Sequence, residues 1–242
     1  MSIAEKFEVI ADAVYEKGIE KGKNDEWDKF WDAYQDYGNR TRYPSHSFYG
    51  AGFNANNFYP KYDIKPQGSC VNLFYAWETT QISLKQRLEE CGVKLDTSKV
   101  TNFSHAFNYS KFTELPIIDL SSMTSASSGI FSNNYGTLTT IEKLILSENT
   151  VINSWFGQYC QNLEKLIVEG VIAKSGFNVQ YQPKLTVASL LSILTALSKD
   201  STIASGKSIT FATVHKDIIE ADAKCLEQYN LAISAGWTIA YA

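Results

Sequence analysis

Few side chains in this 242-residue chain stand at spacings that support catalysis or metal binding. The three histidines, His46, His105 and His215, lie far apart, and none belongs to an H-x-x-x-H pair of metal ligands. No G-x-S-x-G nucleophile motif is present, and the stretch FYGAGFNANN lacks the Lys and the Ser or Thr of a P-loop. The sequence therefore predicts no catalytic residue, no metal site and no cofactor.

The strongest enzymatic alternative is a glycoside hydrolase, which needs two carboxylates beside the scissile bond. The candidates on predicted strands are Glu114, Asp119, Glu142 and Glu169. Carboxylates on an exposed strand face more commonly serve as solvated groups. The sequence thus favours a protein that is not an enzyme.

The cysteines follow no zinc-binding spacing, since they stand at positions 70, 91, 160 and 225. We expect buried free thiols, with a disulfide pair as the open alternative.

Composition and charge indicate a chain with a sizeable core and no basic surface. Hydrophobic residues make up 44% and aromatic residues 13%. The net charge is −4, and residues 1–37 alone hold 5 Lys against 10 Asp or Glu, so the remainder is near neutral. This balance argues against nucleic acid as a partner. Without 18 consecutive apolar residues we expect no membrane insertion, and charges within the first 12 residues argue against a classical signal peptide.

The first 67 residues are predicted to form a helical segment, 1–37, and then an irregular aromatic segment, 38–67. A short coiled-coil seam opens the chain at Ile3, Phe7, Ile10 and Val14. This seam predicts a homo-oligomer formed through residues 1–20, or else docking of the helix onto the body. The aromatic segment holds three prolines and seven aromatic side chains, which predicts an ordered layer that covers a neighbouring surface.

The middle of the chain repeats at intervals of 24 and 25 residues, marked by Phe107, Phe131 and Phe156. Each Phe is followed by a Tyr and then by a comb of apolar residues. The combs are Phe112, Leu115, Ile118, Leu120; Leu138, Ile141, Leu144, Leu146; and the shorter Leu163, Leu166, Val168. An earlier, degenerate copy is compatible with Phe74, although the helix-like insert ISLKQRLEECGV separates it from the others.

This period is typical of leucine-rich repeats, in which short strands stack and their leucines share one core. A plain β-rich domain with chance recurrence is the alternative. We expect an α+β fold, with a short irregular leucine-rich-repeat solenoid over 68–183 and an αβαβ cap over 184–242. In the cap, Thr186 is the predicted N-cap of a helix, and one further helix is predicted from about Asp217 to Ser234, between two strands. An independent C-terminal domain remains the alternative to a cap.

The residues between comb leucines should point outward, because strand side chains alternate between faces. We expect Asp119, Ile145 and Ile167 in one outward column, with Lys143 and Glu169 to either side on the same face. Adjacent aliphatic side chains with a charged edge have the composition of a recognition patch. The alternative is that the cap or the aromatic segment covers this patch.

Several stretches make the sequence similar to BspA-type leucine-rich-repeat proteins, which occur on bacterial surfaces and, in a short form, in phages and prophages of gut bacteria. The stretches are KGKNDEWDKFWDAYQDYGNRTRY, YDIKP, ECGVKLDTSKVTNFSHAF, CQNLEKLIVEGVI and GWTIAYA. The resemblance implies a recognition or structural protein without catalytic residues, associated with a virion in the short form, and it implies no particular receptor. Ser110 and Gly136 stand where Cys160 occupies the third row, so the repeats are irregular.

Two functions follow from this sequence. The leading one is a non-catalytic binding module that presents a strand face to a protein or glycan receptor, on a virion or a bacterial surface. The alternative is a purely structural component that contacts other virion proteins as a spacer or decoration of a phage particle.

Overall fold

A computed structural model describes residues 63–75, 81–124, 127–132, 136–154, 158–200 and 206–242. These residues belong to one compact unit that spans Tyr43–Ala242. The predicted helical segment 1–37, its oligomerisation seam and most of the aromatic segment lie outside the described residues. The described part contains helices and parallel strands, which confirms the predicted α+β class.

The largest sheet is parallel and has the strand order β2, β4, β6, β8. Its strands are β2 (Ile82–Ser83), β4 (Phe112–Asp119), β6 (Thr140–Leu146) and β8 (Lys165–Gly170). Glu114 pairs with Thr140, and Thr140 pairs with Lys165, so equivalent positions of successive repeats lie side by side. The strands of the main sheet therefore pair through equivalent positions of the sequence repeat.

A second set of short parallel strands precedes the strands of the main sheet in the chain. They pair as β1 (Gln67–Ser69) with β3 (Lys99–Asn102), and β5 (Ser127–Ser128) with β7 (Ile152–Ser154). Each strand of the main sheet directly follows one of these short strands in chain order, β2 after β1, β4 after β3, β6 after β5 and β8 after β7. The chain thus alternates between short strands and the main sheet.

The core lies beneath the main sheet and is filled by the predicted combs. All eleven comb residues are buried, from Phe112 in the first comb to Val168 in the third. Behind them the Phe74 and Phe107 rings stack at 5.3 Å between centroids, and the Phe107 and Phe131 rings stack at 5.6 Å. The aromatic column is confirmed for Phe107 and Phe131, and Phe74 extends it by one repeat. Phe156 lies outside the described residues.

The turn before each ring of this column uses the left-handed backbone region. Asn72, His105 and Gly129 each stand two residues before a column Phe, and their φ angles are 58°, 55° and 57°. Side chains other than Gly, Asn, Asp and His rarely adopt this conformation. The same backbone turn therefore recurs with three different residue types, so the repeat of the turn is not visible in the sequence.

One described helix lies between the first two strands of the main sheet, and three follow its last strand. They are α1 (Leu84–Cys91), α2 (Val187–Ser198), α3 (His215–Ala221) and α4 (Ala223–Ser234). Helix α1 is the predicted insert, with Ser83 as its N-cap. Thr186 caps α2 as predicted, because its side chain accepts a hydrogen bond from the Ser189 N–H.

Helix α2 covers the outer edge of β8 and supplies hydrogen-bond partners to its backbone. The Leu166 N–H donates to Ser189 Oγ at 3.0 Å, and the Val168 N–H donates to Ser192 Oγ at 3.0 Å. Ser189 Oγ also lies 3.2 Å from the Glu164 carbonyl oxygen. An open strand edge invites pairing with another chain, and these hydroxyls close it.

The C-terminal elements differ from the predicted αβαβ order. Strands β9 (Lys207–Phe211) and β10 (Trp237–Tyr241) pair in parallel, but two helices connect them, α3 and α4. The single helix predicted from about Asp217 to Ser234 is therefore wrong. Asp222 has an extended backbone and its side chain accepts a hydrogen bond from the Cys225 N–H, so it ends one helix and caps the next. The observed order is αβααβ.

The four cysteines are free thiols, as predicted, and no disulfide joins them. Cys70, Cys160 and Cys225 are buried, whereas Cys91 is half-buried, which corrects the expectation for that residue. Burial raises the pKa of Cys70 and of Cys225 to about 11 in each case. These two thiols stay protonated and unreactive near neutral pH.

We predict that Phe131→Ala destabilises the protein by about 3–5 kcal/mol, because it opens a cavity in a column of fully buried rings. Phe131→Leu should cost less, since most of the volume remains. Chemical denaturation of both variants tests the prediction. A loss below about 1 kcal/mol for the alanine variant would contradict the stacking of repeats in the core.

We predict a larger effect at Gly170 than at Gly92, although both glycines have positive φ, 97° and 68°. A Cβ on Gly170 would overlap the Leu146 carbonyl oxygen, whereas a Cβ on Gly92 meets nothing within 4 Å. Gly92→Ala should cost about 1–2 kcal/mol from backbone strain alone. Gly170→Ala should cost at least about 3 kcal/mol. Equal melting curves for the two variants would show that β6 and β8 are not in the described register.

Candidate functional site

The outward face of the main sheet carries the five predicted binding residues, in a partly different arrangement. Asp119 pairs with Ile145, and Ile145 pairs with Glu169, so these three form one row across β4, β6 and β8. Ile167 does not stand beside Ile145. It lies opposite the adjacent part of β6, next to Lys143, which in turn pairs with Ile117 of β4.

The expected column of Asp119, Ile145 and Ile167 is therefore wrong in its third member. The cause is a register shift: three steps along β6, from Ile141 to Leu144, match two steps along β8. The third comb lacks one three-residue step, and the sheet absorbs this difference as a bulge. Ile145 consequently lies between two carboxylates rather than beside a second aliphatic side chain.

The two charged residues at the edge of the predicted patch, Lys143 and Glu169, form an ion pair with each other. Lys143 Nζ lies 2.6 Å from Glu169 Oε2. This contact lowers the pKa of Glu169, so the carboxylate stays ionised in mild acid. Lys143 and Glu169 thus bridge β6 and β8 on the face.

A groove of about 510 Å³ lies on the other half of this face, over β4 and β6. The described residues that line it belong to three parts of the chain: the segment from Asp63 to Lys65, helix α1 with the loop that follows it, and the two strands. Its described lining residues are Asp63, Lys65, Lys85, Leu88, Glu89, Val93, Lys94, Leu95, Asp96, Thr97, Pro116, Ile117, Asp119, Glu142 and Ile145. Asp119 and Ile145 are therefore the predicted binding residues that line the groove.

The groove has an aliphatic floor formed by Pro116, Ile117 and Ile145. Ile117 is 41% exposed, although it stands in the middle of a core strand. Ile117 is not among the predicted binding residues, which were taken from positions between comb residues two apart. A three-residue step from Leu115 to Ile118 leaves two residues between comb members, and this spacing could have predicted a second outward side chain at Ile117.

Several charged side chains of the groove form ion pairs with one another. Lys65 lies 3.2 Å from Asp63, and Lys85 lies 3.7 Å from Glu89 and 3.8 Å from Glu142. The Lys85 pair with Glu142 connects α1 to β6. Asp96 and Asp119 form no ion pair with a described lysine or arginine. Both line the groove beside Thr97, in the loop that follows α1 and at the end of β4.

Hydrogen bonds fix both of these carboxylates. Asp96 Oδ1 accepts from the Ser98 hydroxyl at 2.6 Å and from the Ser98 N–H at 3.1 Å, and these bonds lower the pKa of Asp96. Asp119 Oδ1 accepts from the Ser121 N–H at 2.8 Å. Two carboxylates held by local hydrogen bonds therefore line the groove.

Thr97 holds the edge of β4 beside these carboxylates. Its hydroxyl accepts a hydrogen bond from the Asp119 N–H at 2.7 Å and donates one to the Asp119 carbonyl oxygen at 2.8 Å. The loop after α1 is thereby joined to the strand face. This double contact positions both Asp96 and Asp119.

The carboxylates considered for glycoside hydrolysis have separate partners. Glu114 accepts from the Ser83 hydroxyl at 2.6 Å, while Glu142 and Glu169 pair with different lysines. Among the described residues no group of three or more His, Cys, Asp and Glu side chains could hold a metal ion. No described helix is both long and apolar enough to cross a membrane.

Comparison with known proteins identifies no relative. No protein-family model, no curated protein and no solved structure matches this chain.

We predict that Thr97→Val destabilises the protein by about 1–3 kcal/mol, because it leaves the buried Asp119 N–H and carbonyl without partners. Thr97→Ser retains the hydroxyl and should cost less than about 1 kcal/mol. Denaturant titrations of the two variants test this. Equal stability of the valine variant and the native protein would show that the loop is not held by this contact.

Proposed function

We propose that this chain is a short leucine-rich-repeat solenoid of the BspA type that acts as a non-catalytic binding module. Its strand face, including the groove over β4 and β6, binds a protein or glycan receptor, on a phage virion or a bacterial surface. The groove carries the proposal, because it combines an exposed aliphatic floor with oriented carboxylates on the face where the comb predicts outward side chains.

Contacts between equivalent positions support the solenoid. Side-chain hydroxyls of one repeat donate to backbone carbonyls of the preceding one: Thr139 to Thr113 at 3.1 Å, and Ser147 to Ser121 at 2.6 Å. Together with the ring column and the recurring left-handed turn, these contacts repeat along the chain as the strands do. A stack of equivalent units is the expected arrangement for repeats that cannot bury their apolar edge alone.

The open face supports binding rather than a purely structural role. A spacer has no need for an aliphatic floor that leaves Ile117 41% exposed beside the half-buried Pro116 and Ile145, because exposed apolar surface is normally covered or used. The groove volume also falls within the range of about 300–1,000 Å³ that is usual for ligand sites. The structural alternative depends on the N-terminal seam, which lies outside the described residues.

We predict that Ile117→Asp abolishes binding while the fold persists, because Ile117 is exposed on the groove floor. The labelled full chain is applied to one array that carries both synthetic peptides and glycans. The native chain should bind one of these classes, and Ile117→Asp should lose that binding with a stability change within about 1 kcal/mol.

Val214→Asp is the matched control, since Val214 is 51% exposed on the C-terminal elements. It should bind as the native chain does. The proposed function is contradicted if the folded native chain binds nothing on the array, or if Ile117→Asp binds as well as the control.

A further inference from the structure

The chemistry of the groove distinguishes between the two receptor classes. Sugar rings are usually held against aromatic faces, where their C–H groups contact the π system. None of the described residues that line the groove is aromatic. The apolar contacts that its described residues offer are aliphatic, which suits the aliphatic side chains of a peptide.

The charge of the groove favours a cation. The described lining holds five carboxylates and three lysines. Two of those lysines, Lys65 and Lys85, already pair with groove carboxylates. The carboxylates of Asp96 and Asp119, each fixed by a local hydrogen bond, form no ion pair with a described lysine, although the charges of Lys65 and Lys99 act on Asp96. A basic side chain of a partner would therefore find its ion pair here.

The closed edges of the sheet exclude strand addition at these places. Thr97 occupies the backbone groups of Asp119 on one side of the sheet, and the α2 serines occupy those of β8 on the other. These occupied backbone groups favour recognition through the side chains of a peptide more than through its backbone.

We propose that the groove binds an extended peptide segment of a partner protein in which Lys or Arg stands next to aliphatic residues. The aliphatic side chains lie on Ile117 and Ile145, and the basic side chain lies between Asp96 and Asp119. This inference rests on the proposed function, because it takes the strand face as the binding surface and names the class of partner.

The experiment uses three synthetic peptides that differ only at the centre. Their central tripeptides are Ile-Lys-Ile, Ile-Glu-Ile and Ser-Lys-Ser, each flanked by Gly-Ser, with both termini blocked to remove terminal charge. Fluorescence anisotropy with the full chain should give the tightest binding for the first peptide, by about fivefold or more over each of the others. Raising the salt concentration should reduce this preference.

Asp119→Asn tests the charge without removing the acceptor for the Ser121 N–H. It should weaken binding of the Ile-Lys-Ile peptide by about fivefold or more, and leave the weak binding of the Ile-Glu-Ile peptide unchanged or improved. Glu148→Gln removes the same charge from an exposed residue outside the groove lining, and should have little effect.

The outcomes separate the two proposals. If peptides bind through Ile117 but the chain does not prefer Lys over Glu, or if only glycans bind, the peptide inference is overturned while the binding function stands. If the folded chain binds neither peptides nor glycans, both proposals are overturned. Preference for the Ile-Lys-Ile peptide together with its loss in Asp119→Asn supports both.

Discussion

The structure depends on the hydrogen bonding of one parallel sheet, in which side-chain hydroxyls bind backbone groups at the β8 edge and at Asp119 of β4. Parallel strands satisfy each other's backbone groups only in the interior of a sheet, so the outer strands leave a row of donors and acceptors. At the β8 edge Ser189 and Ser192 of helix α2 accept the free N–H groups. At Asp119 in β4, Thr97 both accepts and donates. One hydroxyl does locally what a further strand would do.

This closure determines where a partner can bind. Because these backbone groups are occupied, a partner can contact the side chains on the face of the sheet. The spacing of the comb residues determines which side chains point outward on that face. A step of three residues between inward positions places an additional side chain outside, as at Ile117. The insert that forms α1 then builds a wall beside β4, and the loop held by Thr97 brings Asp96 to the end of the floor. The groove thus depends on the insertion that forms α1 and on the loop that follows it.

The polar groups of the groove show how local bonds prepare a surface for a charged partner. The pKa of Asp63 is lowered mainly by the hydrogen bond from the Lys94 N–H, and the pKa of Asp96 mainly by the hydrogen bond from the Ser98 hydroxyl. Carboxylates held in this way stay ionised in mild acid and lose little conformational freedom on binding. Lys85 performs a different task, because its pairs with Glu89 and Glu142 connect the wall to the floor.

The sequence by itself determined which side chains point inward, since the comb and the Phe spacing follow the periodicity of strands and repeats. It also indicated the cap at Thr186, because a cap depends on residues that are neighbours in the chain. It indicated free cysteines as well, because their positions follow no regular spacing. Only the tertiary structure decided that Glu169, and not Ile167, stands beside Ile145, because a period identifies the face of a strand but not its register against a bulged neighbour. Likewise, only folding brings Asp63 and Lys65 into one groove with Asp119 and Glu142, since contacts between residues so distant along the chain leave no periodic signal.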